Sequence, residues 1–340
     1  MSEFRQDRTT GAWVIIAPER SQRPRRGRRC DATTAPAPGF DPSCPFCPGN
    51  ERLLPGIIEE TASEAPPGWR VRVVPNKYPA LHPGNVLERR CRDGALVVPG
   101  YGYHEVVIET GHHDADLAWL SDSDLHAIVR AYRHRYVELK TRPGIKAVVV
   151  FRNHGRRAGA SLPHPHSQVI ATAITPPRLA AMAGWARAHH ARRGRCVVCE
   201  ELARELEAGR RIVEAADHHL VVVPFAPAGP FEQQILPRRH QASFAQSDDD
   251  ELDELGRLLQ RALRRLAATL DDPPYNFAIE SGAAEASDAR SSHWRLRIVP
   301  DVVRPGGFEL GAGLPINPSR PEDDAEMLRR AGAGEPGGGR

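Results

Sequence analysis

The 340-residue chain is short of several things, and each shortage excludes a class of protein. No apolar run approaches the roughly 18–20 residues of a membrane-spanning helix. The first residues, Met1 to Arg8, are polar where a secretory signal would place an apolar stretch. Aromatic residues make up only 6% of the chain, and 46 basic residues against 43 acidic ones leave a net charge of +3. A nucleic-acid-binding surface needs clustered positive charge interleaved with aromatics, so neither a nucleic acid nor a membrane is expected as a partner. Lysine is nearly missing, with only Lys77, Lys140 and Lys146 against 43 arginines. That bias makes any single arginine weak evidence of chemistry. The expected location is the cytoplasm, where cysteines serve metal or redox chemistry rather than disulfides.

Six cysteines are present, and four of them form two C-x-x-C pairs, Cys44/Cys47 and Cys196/Cys199. Cys30 and Cys91 read as ordinary thiols. The pairs belong to a longer repeat. Cys44-x-x-Cys47 is followed by His113 and His164, and Cys196-x-x-Cys199 by His240 and His293. The two histidines lie 51 residues apart in the first half and 53 in the second. Val73-Val74-Pro75 matches Val222-Val223-Pro224, and Val106–Ile108 precedes His113 as Gln234–Leu236 precedes His240. Each histidine is then followed by an Asp/Ser-rich helix start, Ser121–Asp124 or Ser247–Asp250, and by apolar residues at helical spacing. A strand follows, Ala147–Phe151 or Asn276–Ile279, then a loop and the last histidine on another strand. The chain therefore reads as α+β, a tandem duplication with halves at 1–175 and 176–328. A Gly-rich tail at 329–340 reads as disordered, and Arg20 to Pro42 as irregular.

Two thiolates and two imidazoles make a closed tetrahedral set, the usual form of structural zinc. A lone C-x-x-C could equally be a redox pair; the same four-residue order occurring twice favours metal. The expectation is one or two structural zinc ions, on Cys44, Cys47, His113 and His164 and on Cys196, Cys199, His240 and His293. His112 competes with His113, and His218 and His219 compete in the second half.

The segment Leu162-Pro163-His164-Pro165-His166-Ser167-Gln168 carries the chemistry. In an extended strand, residues 164, 166 and 168 share one face about 7 Å apart. With His164 committed to metal, His166 keeps a free ring nitrogen, and a neutral imidazole is a competent nucleophile toward phosphorus. Gln168 can donate hydrogen bonds to phosphoryl oxygens as charge builds there. Asn153-His154-Gly155 and Gly159-Ala160-Ser161 supply donors and small residues for a phosphate-cradling loop. H-x-H also occurs in metal hydrolases, so the segment alone leaves both readings open. In the second half, Arg295 and Arg297 stand where His166 and Gln168 would, while His293 persists. Metal binding and the second histidine are thus separable.

These residues resemble the galactose-1-phosphate uridylyltransferases of the histidine-triad superfamily, over most of the chain from Trp13 to about Arg330. His164-Pro165-His166-Ser167-Gln168 looks like their active-site motif, Trp13–Pro24 like their N-terminal signature, and Cys44-Pro45-Phe46-Cys47-Pro48-Gly49-Asn50 like their first zinc knuckle. The resemblance implies a duplicated histidine-triad-like antiparallel sheet with helices. It also implies ping-pong transfer, in which His166 takes a uridylyl group from UDP-glucose and passes it to galactose 1-phosphate. By the same resemblance Arg20, Arg23, Asn153, Ser161 and Gln168 contact phosphates, and Asn76 lies in the base- or ribose-binding stretch. Phe308–Asn317 resembles the segment that holds the sugar phosphate, often across a homodimer interface. Arg295-Leu296-Arg297 departs from members with a second H-x-H at an iron site, so no iron is expected. The second Cys pair looks more like a two-zinc branch that includes ADP-glucose phosphorylases, for which ADP-glucose and phosphate are the substrates. The alternative in another class is a zinc-containing binding protein without catalysis.

Overall fold

In the computed structural model the described residues are 1–22, 38–84, 88–282 and 289–332. The chain opens with β1 (Glu3–Gln6) and β2 (Trp13–Ile16), then β3 (Glu59–Ala62), β4 (Trp69–Pro75), the small hairpin β5 (Arg90–Arg92) and β6 (Ala95–Val97), and β7 (Gly102–Ile108). Helix α1 (Asp122–Lys140) leads to β8 (Ala147–His154) and β9 (His166–Thr172). After α2 (Pro177–Arg193) and α3 (Val197–Ala208) the pattern recurs as β10 (Ile212–Ala215), β11 (His219–Val222) and β12 (Gln233–Pro237). Helix α4 (Asp249–Leu270), β13 (Tyr275–Glu280) and β14 (Arg295–Pro300) complete it. The chain closes with α5 (Gly307–Ala312), β15 (Ile316–Asn317) and α6 (Pro321–Gly332).

Ten strands form one sheet in the order β10-β11-β12-β14-β13-β8-β9-β7-β4-β3. Read inward from either edge, the two halves have the same order, and they meet where β8 pairs antiparallel with β13. The expected boundary at 175/176 falls between β9 and α2.

Both long helices start where the sequence places their caps. The Ser121 side chain accepts from the Asp124 amide, and Asp248 and Glu251 form a reciprocal capping box. On α4, Leu252, Leu255, Leu258, Leu259, Leu263 and Leu266 recur at helical spacing and are all buried. They share one core with Leu125, Ile128, Val129 and Tyr132 of α1 and with strand residues of both halves. Each buried leucine contributes about 2 kcal/mol, so this joint core makes the two halves one cooperative body.

Four expectations need correction. His164 and His293 do not lie on strands: β9 begins at His166 and β14 at Arg295. Pro165 has no N–H to donate to a ladder, and its carbonyl instead accepts the Glu109 amide at 3.1 Å. Residues 308–317 are not a simple loop but carry α5 and β15, with β15 parallel to β2. The segment read as a tail is helical to Gly332, and 333–340 lie outside the described residues. The N-terminal strands, counted with the first half by sequence, pack on the second. Val14 and Ile16 meet Ala226 in a small core, and Arg5 forms a salt bridge with Glu322 at 2.9 Å.

Candidate active site

The first cysteine pair lies on a tight turn, with the Cys47 amide donating to the Cys44 carbonyl and the Asn50 side chain capping that same carbonyl at 2.8 Å. His113 follows the end of β7 and His164 precedes β9, and those strands are neighbours. Sheet pairing thus brings Cys44, Cys47, His113 and His164 together with all four donor atoms within 4.8 Å of one another, all buried. The second half repeats the arrangement with Cys196, Cys199, His240 and His293, where Cys196 caps α3 and Cys199 lies in its first turn. Here Cys199 is partly exposed and His240 exposed.

The donor geometry fits a tetrahedral metal. Sulfur and nitrogen ligands at ordinary zinc distances lie about 3.6 Å apart on a tetrahedral edge. Cys47 Sγ is 3.2 Å from His113 Nδ1 and 3.7 Å from His164 Nδ1, and Cys44 Sγ is 3.8 Å from His164 Nδ1. The second cluster spans 3.3 to 3.9 Å on the equivalent edges. Three of the four histidines direct Nε2 to a backbone carbonyl: His164 to Thr110, His240 to Ala289 and His293 to Pro237. That leaves Nδ1 with its lone pair toward the cluster, the usual orientation of a ligating imidazole. Of the competing histidines, His112 is exposed, and His219 directs its Nδ1 to Glu254 at 3.0 Å.

Beside the first cluster runs a cleft of about 410 Å³, within the range of small-molecule sites. Asn76, Ser161, His166 and Gln168 all line it, together with Lys77 and Tyr78. Along β9, His166 and Gln168 face the cleft, while Ser167 faces inward and bonds Tyr132 of α1 at 2.7 Å. His166 Nδ1 lies 2.8 Å from the carbonyl oxygen of His164. The ring therefore donates Nδ1–H to its own chain, and Nε2 is left as a free base and nucleophile. Burial pushes the His166 pKa below its ordinary value, which keeps the imidazole neutral. Phe46, between the two cysteines, packs against the rings of His164 and His166 at 5.9 and 5.2 Å. The cysteine turn thus buttresses the face of His166.

Other expected residues stand apart from this lining. Asn153 on β8 accepts from Asn276 at 2.8 Å and reaches toward the Gly159 carbonyl, so it braces the 155–160 loop that leads to Ser161. Arg20 is exposed on a short 3-10 turn at Pro18–Gln22 and does not line the cleft. Arg23 and Cys30 lie outside the described residues.

Sequence reasoning missed two groups. His104 on β7 reaches Gln168 Oε1 with Nε2 at 2.7 Å. Beneath the sheet, fully buried Glu109 accepts from Tyr132, Ser167 and Arg152. His104 sits beside Glu105 in β7 and Glu109 directly follows that strand, and isolated polar residues at such places are equally common as satisfied core positions.

In the second half the matching position is filled. Arg295 Nε donates to Glu280 at 2.8 Å, and its terminal nitrogens meet Thr9 and the Met182 sulfur. Arg297 makes a bidentate pair with Glu232 at 2.6 and 2.8 Å. Thr9 and α2 close over this region, leaving only about 30 Å³.

Residues 1–176 match the galactose-1-phosphate uridyl transferase N-terminal domain family. The chain belongs to the galactose-1-phosphate uridylyltransferase family. It is 33% identical over 335 residues to ADP-glucose phosphorylase of Arabidopsis thaliana, covering 96% of this chain and 92% of the relative. It is 26% identical over 344 residues to galactose-1-phosphate uridylyltransferase of Thermotoga maritima, covering 97% and 98%. Among solved structures it resembles the Arabidopsis thaliana ADP-glucose phosphorylase with bound ADP-glucose, with a TM-score of 0.83 over 97% of this chain and 99% of that one, at 33% identity. A solved uridylyltransferase gives 0.76 over 98% and 99%, at 25% identity. Membership of this family makes the protein a nucleotidyltransferase, and the α+β sheet expected from the resemblance is the one observed.

Proposed function

We propose that the protein carries a nucleotidyl group on His166, moving uridylyl from UDP-glucose to galactose 1-phosphate. The observation that supports this most is the 2.8 Å contact between His166 Nδ1 and the His164 carbonyl, which leaves Nε2 unprotonated and facing the cleft. The Nε2 lone pair attacks the α-phosphorus of the sugar nucleotide, a P–N bond forms, and the P–O bond to the bridging oxygen breaks. Glucose 1-phosphate leaves with that electron pair. In the second half-reaction a phosphate oxygen of galactose 1-phosphate attacks the same phosphorus, and the P–N bond returns its pair to Nε2. Gln168 and Ser161, which line the cleft, are assigned to the phosphoryl oxygens and Asn76 to the nucleoside; Asn153 braces the loop that leads to Ser161, and the resemblance alone assigns Arg20 and Arg23 to phosphate.

Zinc is the metal assigned to both clusters, because paired thiolates and neutral imidazoles at these spacings suit it. When bound it would lock each Cys turn to its sheet. The reading is completed by a homodimer in the cytoplasm, with exposed Phe4, Trp13, Phe308 and Leu310 as contact candidates, and by a boundary near 175 between a catalytic and a degenerate half.

A second reading, adenylyl transfer from ADP-glucose to phosphate, uses the same His166 chemistry. It is favoured by the 33% identity to ADP-glucose phosphorylase against 26% to the Thermotoga uridylyltransferase. Intact-protein mass after incubation with UDP-glucose, and separately with ADP-glucose, distinguishes the two. A UMP-sized adduct discharged by galactose 1-phosphate supports uridylyl transfer, and an AMP-sized adduct discharged by phosphate replaces it with the second reading. His166→Ala should abolish either adduct while leaving the fold intact. No adduct from either donor on folded, metal-loaded protein would overturn both.

A further inference from the structure

Resting on that reading, we propose that His104 is a positioning residue for the transfer: it sets which end of the Gln168 carboxamide faces the phosphoryl group. A glutamine side chain is nearly the same shape with its oxygen and nitrogen exchanged, so only its neighbours decide the orientation. Toward a phosphoryl oxygen the two orientations have opposite effects, since the NH₂ end attracts it and the carbonyl end repels it.

The neighbours of Gln168 leave one choice. His104 lies on β7 beside β9, where it pairs with Ile170 and stands diagonal to Gln168 on the cleft side. The Ala80 amide donates to His104 Nδ1 at 3.1 Å. A ring nitrogen that accepts a hydrogen bond carries no proton, so the ring N–H is on Nε2. Burial holds the ring below the ordinary imidazole pKa, which leaves it with that single N–H. Nε2 lies 2.7 Å from Gln168 Oε1. Asn76 is fixed in the same manner: its Oδ1 accepts the Tyr78 amide at 2.8 Å, so its NH₂ end turns toward the His104–Gln168 pair, 3.1 Å from His104 Nε2 and 3.5 Å from Gln168 Oε1. Two donors converge on the Gln168 oxygen, and the NH₂ group is left for the cleft beside His166. Backbone amides of the turn at 76–80 therefore dictate, through His104 and Asn76, the polarity of a side chain one strand away.

The test is the single-turnover rate of nucleotidyl-His166 formation, with whichever sugar nucleotide labels the wild-type protein. His104→Phe should slow it by about tenfold or more, as expected for misplacing one transition-state donor. His104→Gln, which can donate from its own Nε2, should recover most of the loss. On a Gln168→Ala background His104→Phe should add nothing, because the residue acts through Gln168. A His104→Phe protein as fast as wild type, or one equally impaired with and without Gln168, would overturn the proposal. ¹⁵N NMR of the unmutated protein gives an independent check: a neutral Nδ1–H tautomer at His104 would also overturn it. A wild-type protein that takes no label from either nucleotide would instead remove the function on which the inference rests, and His104's role with it.

Discussion

Arg295 occupies in the second half the strand position that His166 occupies in the first, each two residues beyond a histidine of a metal-type cluster. His166 opens onto a cleft, whereas Arg295 is sealed at 1% exposure against Glu280. The same position thus opens onto a cleft in one copy and is packed shut in the other.

The Arg295–Glu280 pair should be costly to break from one side. Glu280→Gln leaves a buried guanidinium without its counter-charge, a loss of about 3 kcal/mol. Replacing both partners with apolar residues should recover much of that loss. Urea unfolding of the three proteins measures it, and nucleotidyl transfer at His166 should persist in every variant that folds.

The two clusters should separate by exposure. Cys44→Ser is expected to remove about one metal equivalent per chain and to lower Tm sharply, since four buried donors and the Phe46 contact with His166 depend on that turn. Cys199→Ser should remove the other equivalent, and its cluster, partly open to water, should lose metal to a chelator first. Metal analysis beside a thermal melt checks both. Unchanged metal content in Cys44→Ser would refute the ligand assignment.

Acid should act through Glu254. Burial raises its pKa, but His219 at 3.0 Å and the amides of Asp217 and His218 outweigh burial and hold the carboxyl at about 2. The folded pKa lies below the usual glutamate value, so the stabilisation is full above about pH 5 and is lost as the pH falls toward 2. The stability difference between wild type and Glu254→Gln should be constant near neutrality and shrink below about pH 4.5. A gap independent of pH across that window would count against the pairing.

Gly102 begins β7 at φ 154°, and a Cβ there would sit 2.1 Å from the Ala171 carbonyl oxygen. Gly102→Ala should therefore force β7 away from β9, at a cost of roughly 3 kcal/mol. His104 is two residues away, so the rate of adduct formation should fall along with the unfolding midpoint. Normal kinetics in a destabilised protein would show that the distortion stops short of the cleft.

The repeat and both Cys/His sets could be read from the sequence because cysteine is scarce and the Cys-Cys-His-His order recurs. The helix starts were legible from local capping chemistry at Ser121 and Asp248. What escaped notice depends on contacts between distant segments. The placing of His164 before the strand follows from Pro165 and the Glu109 amide. The seating of β1 and β2 on the second half, like the Thr9 and Met182 plug over Arg295, joins residues more than a hundred positions apart. His104 carried no signal of its own, since its role depends on a turn 24 residues earlier.

The seam between β8 and β13 means that the molecule is built like a dimer whose subunits were never free to part. Five main-chain register positions cross it, from Tyr275 opposite His154 to Ile279 opposite Val150. The second copy keeps its place through this seam while its matching position is filled by Arg295, Thr9 and Met182. On the proposed His166 chemistry the load is lopsided, with a single nucleotidyl group per chain, and labelling should saturate at one per polypeptide however the chains assemble.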